Sequence, residues 1–134
     1  MSEAQILIPL LIYEDIPAMQ RFLVRAFGFE QGVLERDPEG RVVHGEVWTA
    51  GTVIWLHRSA AEHGLTSAKG LAAVSSALVV LVPDVDAHFR HAREAGAEIE
   101  REPADQPYGQ REYSARDAEG GRWYFATRTA PLRT

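Results

Sequence analysis

Apolar side chains fill residues 6–13 almost without interruption, the pattern of a strand buried on both faces. Asp15 then offers a helix cap, and Ile16, Met19, Leu23, Ala26 and Phe27 recur at helical spacing. Gly28 stands where a helix C-terminal glycine belongs. Three extended stretches follow at 29–36, 42–49 and 52–58, parted by Asp37-Pro38-Glu39-Gly40 and by Ala50-Gly51. A polar, Ala/Gly/Ser-rich connector occupies 59–75. The pattern then recurs: a buried strand at 76–82, a cap at Asp84, and a helix carrying Val85, Phe89, Ala92 and Ala95 up to Gly96. Extended stretches at 97–101, 110–117 and 122–128 complete it, with a loop at 103–109 and a turn at 118–121.

The two halves register on one another. Asp15-Ile16-Pro17-Ala18 falls on Asp84-Val85-Asp86-Ala87, an offset of 69 that also places Gly51 on Gly120 and Trp55 on Tyr124. The helix-ending glycines, Gly28 and Gly96, fall one residue short of it. A duplicated β-α-β-β-β unit predicts an α+β fold, with module one at 5–58 and module two at 76–128 inside a single domain spanning 1–134. Each unit alone leaves one sheet face bare. The pair is therefore expected to build a concave mixed sheet with the helices on its outer face.

Composition narrows the chemistry. The 134 residues carry 14 Lys+Arg against 19 Asp+Glu, and a net charge of −5 argues against nucleic acid as the partner. With 46% hydrophobic residues the chain can bury a core. The absence of cysteine excludes disulfides, thiolate nucleophiles and Cys-ligated zinc or iron–sulfur centres. The opening apolar run is short and lacks a basic flank, so neither a signal peptide nor a membrane span is expected, and the expected location is cytoplasmic. No G-x-S-x-G, P-loop or dinucleotide fingerprint occurs.

The duplicated layout resembles the vicinal oxygen chelate superfamily of glyoxalases, extradiol dioxygenases and bleomycin-resistance proteins. Two local patterns look closest to the antibiotic-binding, bleomycin-resistance branch. One is Ile8-Pro9-Leu10-Leu11 followed by Glu14-Asp15-Ile16; the other is Gln106-Pro107-Tyr108-Gly109 with Arg111-Glu112 and the Arg116-Asp117-x-x-Gly120 turn. The resemblance implies three or four His or Glu metal ligands on the concave face in the enzymes. Carried onto this chain, those positions are Ile8, Trp55, Ala77 and Tyr124, and none is a usual ligand for a divalent ion. Their neighbours Leu7, Pro9, Ile54, Leu56, Leu78, Trp123 and Phe125 supply none either. Neither a metal nor another cofactor is therefore expected. The resemblance also implies a homodimer with exchange of the N-terminal strand near Pro9 and ligand clefts at the subunit interface.

Strand parity says what shares the concave face with those four positions: Leu10, Val53, His57, Val79, Leu81, Arg122 and Ala126. Leu7, Leu11, Ile54, Leu56, Leu78, Val80, Trp123 and Phe125 then point to the helices. On the third strand Val43 and Val47 fit the helix side, which turns His44, Glu46 and Trp48 to the cavity. The candidate ligand-binding set is thus His44, Glu46, Trp48, Trp55, His57, Arg122 and Tyr124, with Tyr108 from an exposed loop. Such a cleft suits a small molecule that is aromatic, extended or cationic. His88 and His91 read as an exposed helical face, His63 as solvent-facing, and Arg111 as the ion-pair partner of Asp117 or Glu112. The function expected is non-catalytic sequestration of a drug or natural product. The alternative is a glyoxalase- or dioxygenase-like enzyme, using a metal through non-standard ligands or acid–base chemistry through His44, Glu46 and His57.

Overall fold

The computed structural model describes residues 4–133, so residues 1–3 and 134 of the expected domain lie outside the described residues. The elements run β1 (Leu10–Tyr13), α1 (Ile16–Phe27), β2 (Glu30–Arg36), β3 (Val42–Thr49), β4 (Thr52–Arg58), a 3-10 turn (Ala61–His63), β5 (Leu78–Leu81), α2 (Val85–Glu94), β6 (Glu98–Gln106), β7 (Gln110–Arg116) and β8 (Arg122–Arg128). This is the expected α+β duplication, realised as two four-stranded mixed sheets ordered β1-β4-β3-β2 and β5-β8-β7-β6. The chain divides into two compact units. One holds the residues up to Val24 with Phe29–Ser67, and the other holds Arg25–Gly28 with everything from Ala68 onward.

The offset of 69 survives at the level of strand pairing. Parallel β1 and β4 align Leu10 with Trp55 and Ile12 with His57, and parallel β5 and β8 align Val79 with Tyr124 and Leu81 with Ala126. Both helices start as the sequence predicts: Asp15 Oδ1 accepts from the Ala18 amide at 3.0 Å and Asp84 Oδ1 from the Ala87 amide at 3.1 Å. Both are followed by a left-handed glycine, Gly28 at φ 77° and Gly96 at φ 96°.

In the first unit, Ile16, Met19 and Leu23 of α1 are buried, as are Val47, Ile54 and Leu56 on one face of the sheet. Gly45 lets helix and sheet meet, since a Cβ there would lie 2.7 Å from Ile16 Cγ2. The pairing of β2 with β3 slips between Gln31 and Leu34. Buried Gln20 reaches this bulge and donates to the carbonyls of Gly32 at 2.9 Å and Glu46 at 3.0 Å, replacing ladder bonds that the bulge removes.

The first strand corrects the sequence reading. It begins at Leu10, not at residue 6, and Leu7 is 82% exposed where packing beneath a helix was expected. Proline explains the start: Pro9 has no N–H to donate, and it joins the ladder only as an acceptor from the Trp55 amide at 3.0 Å. Nor is the strand buried on both faces, because Leu10 remains exposed.

In the second unit the core holds Tyr113, Ala115, Trp123 and Phe125 with Val85, Phe89 and Ala92 of α2. The last turn of α1 adds Phe27, whose ring centre lies 4.8 Å from Phe125 and 5.4 Å from Trp123. The loop expected at 103–109 is another correction, since β6 continues as strand to Gln106. Pro103 is tolerated because it sits where the register shifts between Arg101 and Ala104, so its missing donor costs no ladder bond. Ala126, placed by parity on the open face, is fully buried.

Candidate functional site

Alternation along β4 and β3 sends Ile54, Leu56, Gly45 and Val47 to the buried face and leaves Val53, Trp55, His57, His44, Glu46 and Trp48 on the other. Cross-strand pairing arranges these in rows: Val53 beside Trp48, Leu10 and Glu46 on either side of Trp55, and Ile12 and His44 on either side of His57. Trp48 and Trp55 are each 39% exposed, a large apolar area left in water. His44 meets Trp55 edge-on with ring centres 5.6 Å apart, and its Nε2 donates to Glu46 Oε2 at 2.8 Å. The two polar groups are half-buried, so this bond fixes a directional donor–acceptor pair beside an exposed indole. His57 stacks against His63 of the 3-10 turn at 5.9 Å. His44, Glu46, Trp48, Trp55 and His57 therefore come together on one face of the first sheet, as parity predicts.

Arg122, Tyr124 and Tyr108 belong to the second unit. Tyr124 is half-buried in β8 between Val79 and Ser114. Arg122 is already engaged: Nη2 donates to Glu100 Oε2 at 2.9 Å, Nε lies 2.9 Å from Oε1, and Arg116 Nε donates to the same carboxylate at 3.0 Å. Burial pushes Glu100 upward, but hydrogen bonds from Arg116 and Arg122 outweigh it and hold the carboxyl below its ordinary pKa. Tyr108 is 57% exposed and donates to Glu112 Oε1 at 2.6 Å, and that bond raises its phenol pKa. Arg111 corrects the sequence reading, pairing with Asp86 of α2 at 3.1 Å and with Asp105 at 3.5 Å, not with Asp117 or Glu112. Parity removes Glu112, because successive residues on β7 face opposite sides, and the Asp117 carboxylate is taken by the Glu119 and Gly121 amides and by Trp123 Nε1.

His88 is the larger correction. It is half-buried, not on an exposed face: Nε2 lies 2.9 Å from the Phe27 carbonyl, Nδ1 lies 2.6 Å from the Tyr113 hydroxyl, and the ring stacks on Phe125 at 4.3 Å. His91 is exposed, with Nε2 2.7 Å from the Arg25 carbonyl. Both thus satisfy end-of-helix carbonyls of α1. The carbonyl requires a proton on His88 Nε2, leaving Nδ1 to accept from Tyr113. Burial depresses the His88 pKa below the ordinary 6.5, partly offset by the bond to Phe27 and reinforced by nearby His91. The folded state therefore binds this proton less readily than the unfolded chain. Its stabilising effect is complete above about pH 6.5 and is lost as the pH falls through and below that value. Thermal melts from pH 7.5 to 5 should show a falling midpoint in the parent and a shallower fall in His88→Gln. Equal slopes would remove His88 from the account.

The residues present do not fit the metal centre expected of the enzymes that the fold resembles. Trp55 and Tyr124 occupy equivalent places in β4 and β8, while Ile8 and Ala77 lie just ahead of β1 and β5. Among the described residues no three His, Asp or Glu side chains converge as ligands would. No described helix is long and apolar enough to cross a membrane.

Several solved structures are similar to this chain. TioX from Micromonospora sp. ML1 is 30% identical, with a TM-score of 0.70 over 96% of this chain and 100% of that one. A glyoxalase-related enzyme from Clostridium phytofermentans shares 17% identity at a TM-score of 0.70, covering 95% of this chain and 97% of that one. A superfamily member from Sphaerobacter thermophilus DSM 20745 shares 19% identity at 0.68, covering 93% of this chain and 98% of that one. At those lower identities the likeness is one of fold. None of the curated proteins matches the chain. The pattern of the Glyoxalase/Bleomycin resistance protein/Dioxygenase superfamily matches residues 5–125, nearly the whole length, and agrees with the duplicated β-α-β-β-β units: the chain belongs to that superfamily.

Proposed function

We propose that the protein binds a small planar aromatic molecule on the open face of its first sheet and releases it unchanged, in the manner of the bleomycin-resistance members of its superfamily. The observation that carries this reading is the pair Trp48 and Trp55, each 39% exposed on a face that also presents the His44–Glu46 hydrogen bond. Stacking on an indole contributes about 0.5–1.5 kcal/mol per ring beyond area burial. Glu46 adds a carboxylate that favours a cationic ring system. Tryptophan emission titrated with bleomycin and with the planar cation proflavine tests it. Saturable quenching is expected with at least one of the two, and silence from both removes the reading.

The His44–Glu46 bond also favours a second reading, metal-free acid–base catalysis at the same face. The two differ in what is recovered. A binder returns the bound molecule at its original mass after prolonged incubation, whereas an enzyme returns product, and Glu46→Gln would stop its formation.

A further inference from the structure

The connector that follows β4 folds into the 3-10 turn Ala61–His63, and no residue of that turn is buried. Backbone bonds set its place. Ala60 and Leu65 exchange a pair of them, at 3.0 and 3.1 Å, and the Ser59 amide donates to the Tyr13 carbonyl at the end of β1 at 3.1 Å. Gly64 ends the turn in the left-handed region at φ 70°. None of these bonds uses the His63 side chain. That exposed side chain nonetheless lays its imidazole nearly parallel to the ring of half-buried His57, with 22° between the planes and 5.9 Å between the ring centres. Neither imidazole makes a hydrogen bond or an ion pair among the described residues, so the stack is the one directional contact that either ring has there. His57 is in turn the next side chain after Trp55 on the open side of β4, and it pairs across the ladder with His44, whose ring meets Trp55 edge-on.

We propose that His63 positions His57 for the aromatic ligand, so that the binding face runs from β3 and β4 into the connector. The role rests on the reading of Trp48 and Trp55 as a ligand face and adds to it a residue from outside the sheet. An imidazole free to rotate must be ordered when a ligand arrives, whereas one already held by a stack does not carry that cost. Stacking needs a flat surface more than any particular polar atom, so a flat ring is what His63 supplies.

Calorimetric titration with whichever of bleomycin and proflavine binds the parent, set beside melting curves, tests this role. His63→Ala should weaken binding about three- to tenfold. Its Tm should stay within about 2 °C of the parent, because backbone bonds hold the turn. His63→Phe keeps a flat ring and should bind within about twofold of the parent. Since His63 acts through His57, the double variant His57→Ala/His63→Ala should bind within about twofold of His57→Ala alone. The His57 ring-proton resonances should move in His63→Ala, which loses the neighbouring ring current. An affinity unchanged in His63→Ala, a loss that His63→Phe does not recover, losses that add in the double variant, or His57 resonances that stay in place would each overturn the proposal. A parent that binds neither probe removes the aromatic face and this role with it. A parent that binds while His63→Ala binds equally well removes this role alone.

Discussion

Asp117→Ala is expected to lower the unfolding free energy by about 3–5 kcal/mol, since three donors lose a charged acceptor and each such bond contributes about 1.5–3 kcal/mol with imperfect additivity. Asp117 is buried in the turn between β7 and β8. Its Oδ1 accepts from the amides of Glu119 at 3.0 Å and Gly121 at 2.9 Å, and Oδ2 accepts from Trp123 Nε1 at 2.9 Å. Trp123 is only 1% exposed, so its indole N–H has no water to turn to once the carboxylate is gone. Gly121 belongs to the same device, because a Cβ there would fall 2.5 Å from Asp117 Oδ2. For a chain of this length the loss corresponds to a fall in Tm of more than about 10 °C. Asp117→Asn should be intermediate. Its carbonyl can still serve the two amides, but its NH2 then opposes Trp123 Nε1, donor against donor. Thermal and urea unfolding followed by circular dichroism checks both variants. A fall in Tm of less than about 3 °C for Asp117→Ala would show that the turn is held by its backbone alone.

Trp55→Ala is expected to weaken binding of the aromatic probe by about 10- to 100-fold while leaving the fold intact. Trp55 sits at the centre of its row, with Leu10 on one side and Glu46 on the other, and His44 packs against its edge. It is therefore the ring best placed to stack, and the one whose removal also frees His44. Trp48 lies at the end of β3 beside Val53, so Trp48→Ala should cost less. Trp55→Phe should recover part of the loss, because a smaller ring keeps stacking but not area. Calorimetric titration with proflavine, beside a melting curve for each variant, separates lost contact from lost structure. Unchanged affinity in Trp55→Ala would move the site elsewhere.

The fold was legible because its signals are local. Asp15 with Gly28, and Asp84 with Gly96, bracket the helices by backbone chemistry that does not depend on what packs against them. The period of two along β3 and β4 likewise sorted Val47, Ile54 and Leu56 from His44, Glu46, Trp48, Trp55 and His57. Where an apolar residue met a backbone constraint, pattern misled: Leu7 looks like core until Pro9 delays the strand. Pro103 misled in the other direction, since a bulge accommodates the missing donor that a regular ladder would not.

Side-chain partners were another matter. Arg111 had acidic neighbours in sequence at Glu112 and Asp117, yet it pairs with Asp86, 25 residues away on α2. His88 carried the charged flanks of a surface histidine, and its neutral, half-buried role comes from Phe27, Tyr113 and Phe125, which the chain delivers from three separate elements. Periodicity, caps and the repeat at 69 follow from bonds and sterics within a few residues, so the order of elements and the face each residue takes can be read from the chain. Which charge meets which, and which polar groups are left to meet a ligand, depends on distances between segments far apart in sequence, and these exist only after the sheets and helices have packed.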